Sequence, residues 1–267
     1  MTPLGVVEYA ERGAGEPLLV SHGIFHGCDG GLLSGRDLPS DRRVIAPSRF
    51  GYLGSSMPPG ARPADQADAF AILLDGLGID KTDVIAFSAG VTSALQLALR
   101  HPHRVKHLAV MSGNLPGSPT AVAPPQAARL LYRDLAMWAL KVFARPILIR
   151  LMGVPKGFPL TAEDARFVSE MVDSIFPIAP RAEGALFDAF ISDPDVNDYK
   201  LEAITAPTLI VHAKDDPLAS YDAARRAAAR IAGARLISPE SGGHLMLGQG
   251  EAVRTDLAAF LAGRVAA

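Results

Sequence analysis

The chain has a single cysteine, Cys28, in 267 residues, so no internal disulfide can form and no disulfide framework holds the fold. It has no excess of charge either. Its 26 Lys and Arg stand against 28 Asp and Glu, a net −2, which excludes the basic footprint that grips nucleic acid by displacing counterions. Long apolar runs are absent. The stretch 135–152 comes nearest, but Lys141, Arg145, Pro146 and Arg150 interrupt it, whereas a membrane span wants about 20 mostly uncharged residues, so no membrane insertion is expected. The opening residues through Tyr9 carry neither a basic segment nor an apolar core; no signal peptide is read, and the expected address is the cytoplasm. Internal repeats and low-complexity linkers are also lacking. What is present is 49% apolar and 20% charged residues, with 25 Gly and 21 Pro spread as punctuation between short apolar runs. That is a globular chain long enough to bury a large core.

Seven short β-rich runs stand out, over 5–10, 18–22, 43–47, 83–88, 106–111, 208–212 and 235–238. In the middle of the chain they are almost continuously apolar, as in Val84-Ile85-Ala86-Phe87 and Leu209-Ile210-Val211, which predicts strands buried on both faces of a parallel sheet. Helical patterns over 64–77, 89–101, 221–232 and 251–263 lie between them, so the fold class is α/β, with a mostly parallel sheet of about seven or eight strands flanked by helices. The alternation stops at residue 115. Prolines cluster at 116, 119, 124 and 125, and helical spacing follows over 126–145, 161–175 and 181–191. A structureless loop of that length is improbable in a compact domain. The reading is a catalytic core of residues 1–114 and 201–267, with 115–200 inserted as a helical cap.

The chemistry is concentrated at Ala86-Phe87-Ser88-Ala89-Gly90, a serine between a buried strand and an Ala-rich helix. Small residues two positions before and after it permit a sharp strand-to-helix turn that lifts the hydroxyl clear of the sheet edge. A serine hydroxyl is a weak nucleophile until a base takes its proton. Among the 7 histidines, His244 in Ser241-Gly242-Gly243-His244 lies after the last strand, where glycines allow a tight turn over the sheet edge. His101, His103 and His107 flank Pro102 near a helix end and read as surface or capping residues, His212 as packed at a strand end, and His22 as structural. The base needs a carboxylate to hold its tautomer. Asp215 and Asp216 both follow the sixth strand; Asp216, farther into the loop and fixed by Pro217, is preferred, leaving Asp215 as a turn residue. For a developing oxyanion, the backbone N–H of Ala89 is one expected donor. The other is that of Ile24 in Ser21-His22-Gly23-Ile24-Phe25, with Phe25 as the alternative.

With His22-Gly23 after one strand, Arg49-Phe50-Gly51-Tyr52-Leu53-Gly54-Ser55-Ser56 after the next, Ser88 in its turn, and Asp216 and His244 in that order, the chain resembles the α/β-hydrolase superfamily. The branch it is similar to comprises small capped esterases, perhydrolases and lipase-like members, and the resemblance covers nearly the whole chain. It implies Ser88 as nucleophile, Asp216 as acid, His244 as base, and Ile24 and Ala89 as oxyanion donors. Two positions depart from the pattern: Ser48 stands where an aspartate is common, and Ala86 replaces the first glycine of G-x-S-x-G. The family's usual first strand is missing, so the sheet is expected to begin at its second. The serine separates the chain from the dehalogenases and epoxide hydrolases of this fold, which the resemblance describes as using an aspartate nucleophile.

No cofactor is called for, and no pair of histidines or carboxylates has metal-ligand spacing. Cys28 has no thiol-activating partner and reads as packed. In the cap, Arg129, Arg133, Asp134, Lys141 and Arg145 fall to one side of 126–145, leaving a broad apolar face. Met137, Trp138 and Phe143, with Met152, Phe158 and Phe176 farther on and Phe25 from the core, are candidates to line an apolar pocket. The cap's basic first half and acidic second half are expected to pair with each other. The activity expected is cleavage of a small to medium hydrophobic carboxylic ester through an acyl-enzyme. Perhydrolysis or acyl transfer, carbon–carbon bond hydrolysis, and non-catalytic ligand reception on the same fold remain alternatives.

Overall fold

The computed structural model of the protein describes residues 2–35, 38, 41–118 and 125–264. Seven strands, β1 (Tyr9–Arg12), β2 (Glu16–Ser21), β3 (Arg42–Pro47), β4 (Thr82–Phe87), β5 (Val105–Met111), β6 (Thr208–Val211) and β7 (Arg235–Ile237), form one sheet. Their order is β1-β3-β2-β4-β5-β6-β7, with β1 antiparallel to β3 and every other pairing parallel. The first strand starts later than the expected residue 5. Gly5 has φ +101° and closes a bridge with Thr2, so the chain runs alongside β3 only from Tyr9.

The continuous apolar runs are the strands covered on both sides. Leu18 to Val20, Val84 to Ala86, Leu108 to Val110 and Leu209 to Val211 are fully buried. Helices α2 (Pro63–Gly76), α3 (Gly90–Arg100) and α10 (Tyr221–Arg230) pack one face, around Phe70, Leu74, Leu95 and Ala224. Helix α11 (Gly250–Leu261) packs the other through Val253, Leu257 and Phe260, with α1 (Cys28–Ser34) adding Leu32.

Between β5 and β6 the chain is helical: α4 (Pro125–Leu131), α5 (Asp134–Phe143), α6 (Arg145–Leu151), α7 (Ala162–Ser174), α8 (Ala182–Phe187) and the single turn α9 (Asp193–Asp195). Pro119 and Pro124 of the proline cluster lie outside the described residues. The single helix expected over 126–145 is instead broken. Arg133 is extended, because the Asp134 carboxylate caps the backbone N–H groups of Ile178 (2.5 Å) and Ala179 (3.3 Å) rather than continuing a helical surface. Pro146, which lacks an N–H, opens a new helix. Helix α7 follows its expected bounds because Thr161 and Asp164 form a reciprocal cap. The expected pairing between the charged halves is met by Lys141 with Asp173 (2.7 Å), whereas no ion pair of Arg129, Arg133 or Arg150 occurs among the described residues.

A buried polar knot ties this segment to the core. Beyond α8 the helix widens over Asp188–Ser192, and the Asp188 carboxylate accepts both guanidinium nitrogens of Arg49 (2.5 Å each) and the Tyr52 hydroxyl (2.5 Å). Burial and the charge of Asp188 push the nearby Asp193 carboxyl up to about 7. An unfolded-chain Asp ionises near about 3.9, so between that pH and about 7 the folded state holds a proton that the unfolded state has lost. Stability contributed by this group therefore falls as pH rises through that window and levels off above it. Asp193→Asn is expected to raise the thermal midpoint by several degrees at pH 8 and to leave it unchanged near pH 4. Equal shifts at both values in thermal unfolding would contradict this.

Candidate active site

Ser88 occupies the turn between β4 and α3 with φ +51°, a left-handed conformation that a non-glycine residue adopts only when the surroundings enforce it. They do so here: its N–H donates to the Met111 carbonyl (3.0 Å), and its carbonyl accepts from Val91 (3.1 Å) and Asn114 (3.4 Å). Gly90 is required because a Cβ there would stand 2.3 Å from the His22 carbonyl oxygen and 2.5 Å from that of Ser21. Ala86, in place of the usual glycine, is fully buried between Ser21 and Val110 on the neighbouring strands, where its methyl is accommodated.

His244 Nε2 lies 2.8 Å from Ser88 Oγ, and its Nδ1 lies 2.8 Å from Asp216 Oδ2. An ionised carboxylate only accepts, so Nδ1 carries the ring proton and Nε2 is free to accept from the serine hydroxyl. Burial pushes the Asp216 carboxyl up, but the His244 hydrogen bond and charge, with the N–H groups of Leu218 (2.8 Å) and Ala219 (3.1 Å), outweigh it and hold it below the ordinary value. Asp215 points elsewhere, accepting from the backbone of Gly242 (3.3 Å) and Gly243 (2.8 Å). It pins the glycine turn that carries His244, a role beyond the turn residue read from sequence.

The helical segment also holds the histidine. The His244 N–H donates to the Gly153 carbonyl (3.0 Å), and a Cβ on Gly153, whose φ is +86°, would stand 2.2 Å from the His244 Cβ. No pattern in the sequence links these two loops. Gly153→Ala is expected to displace the ring and lower kcat by about 100-fold, the scale set by misplacing a reacting group by an ångström. Steady-state kinetics beside a melting curve check this, since a loss explained by unfolding alone would leave kcat of the folded fraction intact.

Ala89 caps the start of α3 directly after Ser88, and Ile24 follows His22-Gly23, where a Cβ on Gly23 would stand 3.3 Å from the Ser88 Cβ. His22 is fully buried: Nε2 accepts from the Arg49 N–H (3.0 Å), Nδ1 bonds the Gly23 carbonyl (2.7 Å), and burial plus Arg49 keep its pKa well below the usual value. His101 and His107 lie on Asp68 and Asp83, each at 2.7 Å, and His212 is buried against the Ala219 carbonyl. Ser48 Oγ donates to Glu8 (3.0 Å) and accepts from the Cys28 N–H (3.0 Å); burial pushes the Cys28 thiol up, away from reactivity.

Ser88 and His244 open into a cavity of about 800 Å³ roofed by the helical segment. Of the residues expected to line it, Phe25, Met137 and Met152 do so; Trp138, Phe143, Phe158 and Phe176 do not. Trp138 (49% exposed) and Phe143 (79%) turn outward and stack edge to face, because the inward stripe of α5 falls on Met137. Phe158 and Phe176 pack beneath the helices instead. Tyr132, Phe167, Met171 and Leu148 take their places. Its acidic and basic lining residues, besides the histidines, are Glu163, Asp164, Glu251 and Arg254. Among the described residues no cluster of His, Cys, Asp or Glu is arranged to hold a metal, and no helix is long and apolar enough to cross a membrane.

A protein-family model described as alpha/beta hydrolase fold matches residues 16–251. RutD of Caulobacter sp. strain K31, provisionally named a carbamate hydrolase, is 31% identical over 206 residues, covering 76% of this chain and 74% of its own. A 2-hydroxy-6-oxononadienedioate/2-hydroxy-6-oxononatrienedioate hydrolase of Dechloromonas aromatica is 27% identical over 82% of this chain and 78% of its own. An alpha/beta hydrolase fold protein from Nakamurella multipartita superposes with a TM-score of 0.80 at 30% identity, covering 96% of this chain and 95% of that one.

Proposed function

The chain belongs to the alpha/beta hydrolase fold family, and from that premise we propose that it is a serine hydrolase of uncharged carboxylic esters. The observation that carries the reading is the hydrogen-bonded chain Asp216–His244–Ser88 at the floor of a largely apolar cavity. In this reading His244 Nε2 takes the Ser88 proton as Oγ attacks the ester carbonyl, and Asp216 stabilises the imidazolium. The N–H groups of Ile24 and Ala89 receive the oxyanion; each such donor is worth about 2.7–4 kcal/mol in the transition state. The alcohol leaves with the proton from His244, and water activated by the same ring then frees the acid. The helices between β5 and β6 act as a cap, closing the cavity and, through Gly153, holding the base.

Carbon–carbon bond hydrolysis is the second reading, named by the Dechloromonas relative. A dioate carries two carboxylates, and the cavity offers them Arg254 against Glu163, Asp164 and Glu251, while the buried guanidinium of Arg49 is already spent on Asp188. The lining favours neutral substrates. Turnover of p-nitrophenyl esters of graded acyl length by wild type and Ser88→Ala, side by side, tests the proposal. Length-dependent hydrolysis confined to the wild type supports it; equal rates in both proteins overturn it.

A further inference from the structure

Two polar side chains in the cavity wall are used neither by the fold nor by the proposed mechanism. His26 is 4% exposed and Ser112 is 3% exposed, and neither a ring nitrogen of His26 nor the Ser112 hydroxyl has a hydrogen-bond partner. Both line the cavity that contains Ser88. The Ile24 carbonyl comes near the His26 ring, but without the geometry of a bond. Buried polar groups are almost always satisfied, so orphan atoms on two residues of one cavity wall call for a partner that arrives with the ligand.

Their placement is set by the sheet. Phe87 of β4 is in register with Met111 of β5, so Ser88 and Ser112 leave adjacent strands side by side, about 4.8 Å apart as neighbouring strands are. Both have positive φ, +51° and +45°, and turn off the sheet edge in the same way. His26 stands on the other flank, in the loop after β2. The point where a Cβ on Gly23 would stand is 3.3 Å from the Ser88 Cβ and 3.9 Å from His26 Nδ1. Gly23 thus sits between the Ser88 side chain and the His26 ring.

We infer that His26 and Ser112 form a neutral polar subsite beside Ser88 that binds a hydroxyl or keto group one or two carbons from the scissile carbonyl, making hydroxyacyl and oxoacyl esters the preferred substrates. That the carbonyl is scissile rests on the ester reading above; the subsite itself does not. Burial holds the His26 ring neutral, with its pKa lowered to about 4 despite the nearby Asp29, and that carboxylate is taken by Arg181. The ring therefore offers one donor and one acceptor, and Ser112 offers a hydroxyl that does either. The cations nearest the ring, Arg49 and Arg181, are paired with Asp188 and Asp29, so neither is left as a counter-charge for a carboxylate. A plain alkyl chain leaves these atoms without a partner, and sites built to bond a substrate hydroxyl discriminate strongly against the analogue lacking it.

Binding to the Ser88→Ala protein, followed by ligand-observed NMR, separates the subsite from turnover. Each enantiomer of ethyl 3-hydroxyhexanoate is compared with ethyl hexanoate. The better hydroxyester is expected to bind about tenfold tighter than the plain ester. Adding Ser112→Ala or His26→Phe should bring the ratio to one or below, with plain-ester affinity changed by less than about threefold, because an apolar cavity without the subsite penalises a hydroxyl. No preference in Ser88→Ala, or a preference that survives both added substitutions, overturns the inference. Ser112→Ala removes only an oxygen and keeps the test decisive should His26→Phe fail to fold, which a melting curve reveals. Discrimination in binding with no ester turnover by wild type would leave the subsite standing and sink the ester reading; turnover without discrimination would do the reverse.

Discussion

Replacing Ser88 by alanine is expected to lower kcat on ester substrates by about 10⁶-fold, leaving the residual rate supplied by the oxyanion donors and the cavity. The fold should not notice. The Ser88 turn is held by backbone hydrogen bonds to Met111, Val91 and Asn114, none of which uses the hydroxyl. Melting temperatures within a few degrees of wild type are the expected control. In the proposed mechanism His244 acts through Ser88 and the acyl-enzyme it forms, so His244→Ala should cost about as much, and the double variant no more than either alone. Asp216→Asn should cost about 10⁴-fold, because an amide can present its N–H to Nδ1 and so favour the wrong ring tautomer. Steady-state kinetics on the three single variants and the double check this together. Losses that multiply across Ser88 and His244 would mean the two act independently, and the proton relay would be abandoned.

The largest stability effect is expected at Asp188. Removing one partner of a buried ion pair typically costs about 3–5 kcal/mol, because the charge left behind has neither water nor counter-ion. Asp188 and Arg49 are almost wholly buried, their bond is bidentate, and Tyr52 shares the carboxylate; burial and Asp188 together raise the Tyr52 phenol well above its usual value. Asp188→Ala strands both a guanidinium and a phenol. Denaturant unfolding should show a loss of about 3–5 kcal/mol, partly restored in Arg49→Met/Asp188→Leu, where both charges are gone. A loss below about 1 kcal/mol would show that water reaches the pair and that it is not an anchor. Because Arg49 also bonds His22 through its backbone N–H (3.0 Å) and side chain (3.0 Å), the Ile24 loop depends on the same knot. Activity of the folded fraction should therefore fall as well.

Much of this was legible in the sequence because it is local chemistry. The continuous apolar runs around Val84 and Leu209 dictate doubly covered strands, and a serine among small residues dictates the turn at Ser88. The glycines before His244 and the proline after Asp216 mark loops at the same sheet edge, so their chain order predicts a meeting that the parallel topology then enforces. What the sequence left open required knowing which way a side chain faces. Asp215 and Asp216 are chemically identical neighbours; one meets His244 and the other the Gly242–Gly243 backbone, a choice made by the loop's path in space. Met137 and Trp138 are adjacent and both apolar, yet a turn of about 100° between helical neighbours sends one into the cavity and the other to solvent. The partnership of Arg49 with Asp188, the hold of Gly153 on His244, and the unpaired His26 and Ser112 beside Ser88 join residues far apart in the chain. Composition and periodicity carry no distance between such positions; only packing brings them within a hydrogen bond's reach.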